Sequence, residues 1–134
     1  MPALDQLAVE AFDASSTYGD QLHILHIYVV EPHPLGDPSP YSGEIWEAEY
    51  SDYSQPRTYD GRVALAGVMQ NSIGAKQMLL VDDLTPRPLN NPAWCTYGPC
   101  PNCAFLIRQD GIVEKSQTWV NVDDLKPLID ALLR

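Results

Sequence analysis

The start of the chain carries an apolar stripe with helical spacing. Apolar side chains recur every three or four positions over Met1–Asp20, which predicts one amphipathic helix. The stripe consists of Leu4, Leu7, Ala8, Ala11 and Phe12. Leu22–Val30 is then mostly apolar and rich in β-branched residues, and turn-forming residues flank it on both sides. This run therefore predicts a buried strand.

The rest of the chain continues the alternation of helices and strands. Its patterns predict, in order, a helix over Tyr59–Gly74, a short strand over Gln77–Val81, strands over Ala104–Arg108 and Ile112–Gln117 joined by a tight turn at Asp110-Gly111, and a closing helix over Asn121–Arg134. Asn121 is the expected N-cap of the closing helix. Residues 31–55 and 84–102 are proline-rich and should be mostly loop, with a helical turn at Glu44–Tyr50. The order predicts an α/β domain, because crossovers of this kind leave few other topologies.

Composition excludes several classes of function. Among the 134 residues, 18 acidic and 8 basic side chains give a net charge of −10, which opposes binding to nucleic-acid backbones and anionic membranes. No run approaches the roughly 20 apolar residues of a membrane span, and the start of the chain lacks the basic region of a secretory signal. We therefore expect a single domain over 1–134, in the cytoplasm, without nucleic-acid or membrane partners.

Three cysteines lie close together in the second proline-rich segment. Cys95, Cys100 and Cys103 have the spacing C-x4-C-x2-C, just before a predicted strand. The C-x2-C spacing permits a redox-active disulfide between Cys100 and Cys103. Three thiolates could instead hold zinc with one further ligand, for which His33 is a candidate. Reduced cysteines that fill small apolar spaces are the third interpretation.

His33 follows the first predicted strand and is flanked by prolines on both sides. The carboxyl ends of strands are where α/β sheets place their functional sites, and imidazole is the side chain that changes charge near neutral pH. The alternative interpretation is a loop histidine that the stiff backbone holds and water hydrates. His33 is therefore a candidate for proton transfer, and the sequence leaves both interpretations open.

Several segments carry a family resemblance in the same order along the chain. They are HIYVVEPHPLGDPSPYSGEIW, QPRTYDGRVALA, LLVDD, WCTYGPCPN and FLIRQDG. Together they resemble the iodothyronine deiodinases and their bacterial redoxin-like relatives. The opening Met-Pro-Ala-Leu run also resembles the helix that follows Cys-x-x-Cys in thioredoxin-like reductases. The resemblance implies a thioredoxin-like sandwich, a central mixed sheet flanked by helices, which is N-terminally abbreviated. The strand and the cysteine or selenocysteine turn that supply the usual nucleophile would then lie upstream of residue 1.

The resemblance also implies roles for individual residues. Glu31 and His33 match a Glu and a His of the family, in which the His lies beside the attacking selenium or sulfur as a proton donor or orienting group. Pro101 matches the cis-proline that precedes the final hairpin of thioredoxin-like proteins. Cys100 and Cys103 would then flank the place of the missing nucleophile, close to His33.

Two functions follow as hypotheses. In the first, the chain is a thiol-dependent oxidoreductase or peroxidase-like scaffold that acts on a disulfide, a peroxide or another small redox substrate. Its site residues would be Glu31, His33, Cys100 and Cys103. In the second, the chain is a non-catalytic thioredoxin-like module that binds a partner through the Tyr/Trp-rich loop 34–54, which contains Trp46.

The missing strand also bears on assembly. In the thioredoxin fold this strand is central, between the counterparts of Leu22–Val30 and Ala104–Arg108, so its loss leaves backbone groups unpaired. Each such group costs on the order of 1–3 kcal/mol when it is buried. The chain's own strands could pair directly to close the gap, but we favour a homodimer in which a second copy contributes backbone.

Overall fold

The computed structural model describes residues 2–47, 52–73, 77–84 and 91–134. In chain order its elements are α1 (Pro2–Val9), α2 (Tyr18–Gln21), β1 (Leu25–Tyr28), α3 (Tyr59–Ile73), β2 (Met78–Val81), α4 (Pro92–Tyr97), β3 (Ala104–Ile107), β4 (Val113–Gln117) and α5 (Val122–Leu132). The chain divides into two compact units: unit 1 comprises residues 1–25, 73–78 and 102–134, and unit 2 comprises residues 26–72 and 79–101.

The expected α/β class is confirmed, but the strands are arranged more simply than the sequence suggests. Among the described residues, β1 pairs with β2 in one two-stranded sheet and β3 pairs with β4 in another. The first sheet is parallel and the second antiparallel. The strand predicted over Leu22–Val30 is shorter than expected, since only Leu25–Tyr28 pairs. The α3 helix confirms the prediction over Tyr59–Gly74 up to Ile73, and Gly74 lies outside the described residues.

The single helix predicted over Met1–Asp20 is wrong, because the chain turns between α1 and α2. The carboxylate of Asp13 accepts hydrogen bonds from the backbone N–H groups of Ser15 and Ser16, both at 2.8 Å. Such a side chain offers the backbone a turn in place of the next helical hydrogen bonds. The stripe therefore continues in sequence beyond Val9 while the helix itself does not.

The core of unit 1 joins both ends of the chain. Leu7 of α1 and Tyr18 of α2 pack in one cluster with Leu125 and Ile129 of α5. The last two residues are four apart on α5, so they share one face of that helix. The hydroxyl of Tyr18 also donates to the carboxylate of Asp130 at 2.6 Å. The closing helix is thus confirmed, and its apolar face holds the unit together.

The N-cap of α5 supports a first prediction. The side chain of Asn121 accepts the N–H of Asp123 at 3.0 Å, as its N-cap role requires. We expect Asn121→Ala to lower the free energy of unfolding by about 1 kcal/mol, because this N–H loses its partner. Asn121→Ser is the matched control, since serine caps a helix about as well. Urea unfolding of both variants is the measurement, and equal losses would contradict a capping role.

The predicted hairpin in unit 1 is also confirmed. β3 and β4 pair antiparallel, with Ala104 opposite Gln117 at the open end. Gly111 in the turn has φ of +85°, a left-handed conformation that favours glycine. The carboxylate of Asp110 accepts the N–H of Ile112 at 3.1 Å, which fixes the turn. The Asp-Gly pair thus acts as the turn signal that the sequence indicated.

The two proline-rich segments depart from expectation in opposite ways. No helical turn forms in the described part of Glu44–Tyr50, because Ile45 and Trp46 make isolated β-bridges to Pro38 and Leu35. Residues 48–50 of that prediction lie outside the described residues. The second segment contains a helix, α4, that the sequence interpretation missed. Its first residue is Pro92, a favourable N1 residue because its missing N–H needs no partner there.

Candidate functional site

The candidate site of unit 2 lies where β1 and β2 end. The two strands are parallel neighbours, so their carboxyl ends share one edge of the sheet. The backbone N–H of Asp82, just after β2, donates to the carbonyl oxygen of Tyr28 at the end of β1, at 2.8 Å. Polar residues follow both strands, and they form the connected set described below.

Glu31 is held from both its backbone and its side chain. Its backbone N–H donates to Oε1 of Gln55 at 2.9 Å, and Nε2 of Gln55 donates back to the Glu31 carbonyl at 3.0 Å. The hydroxyl of Tyr28 donates to Oε2 of Glu31 at 3.0 Å. Burial, reinforced by the Glu31 charge, raises the pKa of Tyr28 well above its usual range. The phenol therefore stays protonated through the neutral pH range and donates to the Glu31 side chain.

Three of the predicted site residues are close together in unit 2. The backbone N–H of His33 donates to Oε1 of Glu31 at 3.4 Å. The ring of Trp46 meets the imidazole of His33 edge to face, with ring centroids 4.5 Å apart and an interplanar angle of 68°. An aromatic neighbour at this distance restricts the orientation of the imidazole. The structure thus places Glu31, His33 and Trp46 in one partly exposed cluster.

Arg62 of α3 is a buried cation in unit 2 that the sequence interpretation missed. The residue is 1% exposed, and its Nη1 donates to the carbonyl oxygens of Asp82 at 3.0 Å and Asp83 at 3.3 Å. Desolvation lowers its pKa, while the nearby Asp82 charge opposes that shift. One signal could have identified it: Arg62 lies four residues before buried Ala66, which places both on one face of α3.

Asp82 connects the end of β2 to the start of α4. Its side chain is buried, and its two carboxylate oxygens accept the backbone N–H groups of Ala93 and Trp94 at 2.9 and 3.0 Å. These N–H groups have no partner within the helix because they lie in its first turn. Asp82 therefore fixes the position of α4, and Arg62 fixes the backbone that carries Asp82.

The cysteine segment begins on α4. Cys95 is exposed on the helix and is not part of the disulfide, whereas Cys100 and Cys103 are joined by one. Gly98 ends the helix with φ of +93°, a conformation that needs glycine, and so turns the chain toward Cys100. In this oxidised state two of the three sulfurs considered for zinc are bonded to each other. The described residues contain no group of three His, Cys, Asp or Glu side chains arranged to hold a metal ion.

The expectation of a cis-proline at Pro101 is wrong. The described part of the chain has no cis peptide bond, so the bond between Cys100 and Pro101 is trans. The trans form is favoured by about 0.5–1 kcal/mol before proline. Cys100 and Cys103 are bridged across Pro101 with this bond in the ordinary isomer.

The predicted site residues thus fall into two groups. Glu31, His33 and Trp46 form one cluster in unit 2, and the disulfide of Cys100 and Cys103 forms the other. That both groups line one cleft stays a prediction.

Comparison with protein-family models, curated proteins and solved structures gives no match to this chain. None of the helices in the described residues is long and apolar enough to cross a membrane.

Proposed function

We propose that this chain is a thiol–disulfide redox protein of thioredoxin-like architecture, with Cys100 and Cys103 as its reactive pair. The observation that supports the proposal is the disulfide between these residues, both of which are partly exposed. Two electrons and two protons reduce the pair to thiols. The dithiol then returns them to a disulfide, giving two thiols, or to a peroxide, giving an alcohol and water.

A cytoplasmic location, which we also propose, would fit this redox function. Disulfides in that compartment are usually transient and either catalytic or redox-sensing. Glu31 and His33 are the groups proposed to transfer protons to the leaving sulfur or oxygen. Histidine is the most common side chain in general acid–base catalysis, which suits that role. In this proposal the C-x2-C pair supplies the reactive sulfur.

Thiol titration combined with turnover tests this proposal. The reduced protein should show three titratable thiols, and mild oxidation should remove two of them. Dithiothreitol-dependent reduction of insulin or hydrogen peroxide should fall to the background rate in Cys100→Ser and in Cys103→Ser. Cys95→Ser is the matched control and should keep the wild-type rate. Three thiols that persist after oxidation, or turnover that survives in the Cys100→Ser variant, would contradict the redox function.

A second candidate function is binding through the Tyr/Trp-rich loop 34–54. Its described part exposes large apolar side chains at Tyr41 and Ile45, the latter 65% exposed, together with Tyr53. Exposed apolar side chains clustered in one loop are typical of surfaces that contact a partner. In this alternative the module binds without catalysis, and all three cysteines stay inert in the titration above.

A further inference from the structure

An open groove in unit 1 is lined by the end of the hairpin and the start of α5. Residues 115–119 line it consecutively, together with Asn121 and Asp124. Successive side chains of a strand point to opposite faces of its sheet. A groove over one face would therefore touch every second residue of β4, whereas this groove touches each residue in turn. It consequently follows an edge of the strand.

The groove follows the edge of β4 that faces away from β3, which we call the outer edge. Among the described residues β3 and β4 form a two-stranded sheet, and β3 pairs with the other edge of β4 from Gln117 to Val113. Every residue of β4 except Gln117 is exposed, so both faces of the strand are open to solvent. Alternate residues of an edge strand direct their backbone N–H and carbonyl groups outward, where an extended chain can pair with them.

Trp119 and Asp124 indicate the chemistry of the chain that fits this groove. Trp119 is 66% exposed, although tryptophan is highly buried on average in folded proteins. The face of an indole attracts a cation placed over it, most often the guanidinium of an arginine. Asp124 supplies a carboxylate in the same groove, and the whole chain has a net charge of −10. Charge complementarity therefore favours a basic segment over an acidic one.

Lys115 sets the position of the basic residue within such a segment. It is the basic side chain among the residues that line the groove, and it lies at the opposite end of residues 115–119 from Trp119. A basic side chain next to Lys115 would be repelled. The arginine of the segment should therefore lie at the end of the groove that Trp119 lines.

We propose that this groove binds an extended, arginine-containing segment of a partner protein, which adds as a third strand to the outer edge of β4. Backbone hydrogen bonds to β4 supply the affinity that does not depend on sequence. The arginine stacks on Trp119 and pairs with the carboxylate of Asp124, which supplies the specificity. The surface uses none of the residues of the redox site proposed above, so the two proposals stand or fail independently.

An NMR titration of the nitrogen-15-labelled full chain tests the proposal. The probe is a capped, threonine-rich peptide with one central arginine, because threonine favours extended backbone. We expect the amide signals of Lys115, Ser116 and Gln117 to shift together with the indole N–H signal of Trp119. A peptide with glutamate in place of the arginine should bind more weakly, and one with methylated backbone nitrogens should leave the β4 amides unshifted. No shift with the first peptide at millimolar concentration, or equal shifts with all three, would overturn the proposal.

Two variants locate the bound peptide. Trp119→Ala should weaken binding of the arginine peptide about two- to fivefold, because the exposed cation–π contact is lost. Tyr41→Ala is the matched control, since Tyr41 is an exposed aromatic residue of unit 2, and it should keep the wild-type affinity. Weaker binding in Tyr41→Ala alone would place the peptide on the loop 34–54 and overturn the proposal. Shifts of the β4 amides with protein concentration, in the absence of peptide, would mean that a second copy covers this edge and would overturn it as well.

Discussion

Replacing Arg62 with methionine is expected to lower the free energy of unfolding by on the order of 3 kcal/mol. The guanidinium is buried, and its Nη1 serves the carbonyl oxygens of both Asp82 and Asp83. Methionine cannot donate to either oxygen. The Asp82 carboxylate would also lose the cation that partly balances its charge. Because Asp82 fixes the first turn of α4, the loss should spread to the cysteine segment.

The desolvation of Arg62 acts in the opposite direction on the free energy of unfolding. Burying Arg62 costs desolvation energy, as its lowered pKa indicates, and methionine would avoid that cost. Replacing every member of a buried charged set with apolar residues is often neutral or stabilising, whereas removing one member is strongly destabilising. Arg62→Met leaves the buried Asp82 carboxylate in place. The loss of the Arg62 interactions should therefore outweigh the desolvation cost that methionine avoids.

Arg57→Met supplies the matched control. Arg57 belongs to the same unit and pairs with Asp37 at 2.7 Å, but its side chain is 67% exposed. Exposed ion pairs contribute about 0–1 kcal/mol, so this variant should stay close to the wild type. Urea unfolding followed by circular dichroism gives both values, provided the m-value is unchanged. Equal losses of unfolding free energy in the two variants would mean that the burial of Arg62 does not increase its contribution to stability.

Elements with a local signal were predictable from the sequence. The hairpin of β3 and β4 was identified by Asp110-Gly111, whose turn forms within a few residues of chain. The closing helix was identified by Asn121, which caps it, and by a regular apolar stripe. Both signals act over one turn or less, so they do not depend on what the rest of the chain packs against.

Two kinds of element were not predictable in this way. One is an element in which a turn competes with a helix, and the other is an element that residues distant in sequence stabilise. The stripe through Ala11 and Phe12 favoured a longer first helix, but the helix ends at Val9 and Asp13 holds a turn with Ser15 and Ser16 beyond it. The start of α4 is stabilised by Asp82, which lies ten residues before Pro92, and only the fold brings the two together. The same limit applies to the site. The end of a strand marked Glu31, whereas a charged residue gives no sign that it will be buried.

The small β1–β2 sheet bears on the oligomeric state of the protein. We expect a homodimer at micromolar concentration. Among the described residues β1 and β2 form a sheet of two strands with two edges, and a two-stranded sheet is marginally stable by itself. Their apolar side chains also alternate in exposure: Ile27 of β1 and Leu80 of β2 are 40% and 42% exposed. A second copy that paired at such an edge would satisfy the backbone and cover these side chains.

Sedimentation equilibrium should therefore give twice the mass of one chain. Ile27→Lys should shift the protein toward monomer, because a lysine covered at the interface would lose its hydration without a fixed acidic partner. Val9→Lys is the matched control: Val9 is 66% exposed at the end of α1, outside the β1–β2 sheet, so this variant should remain a dimer. A compact and stable wild-type monomer would show the dimer prediction to be wrong. That result would favour closure of the gap by the chain's own strands.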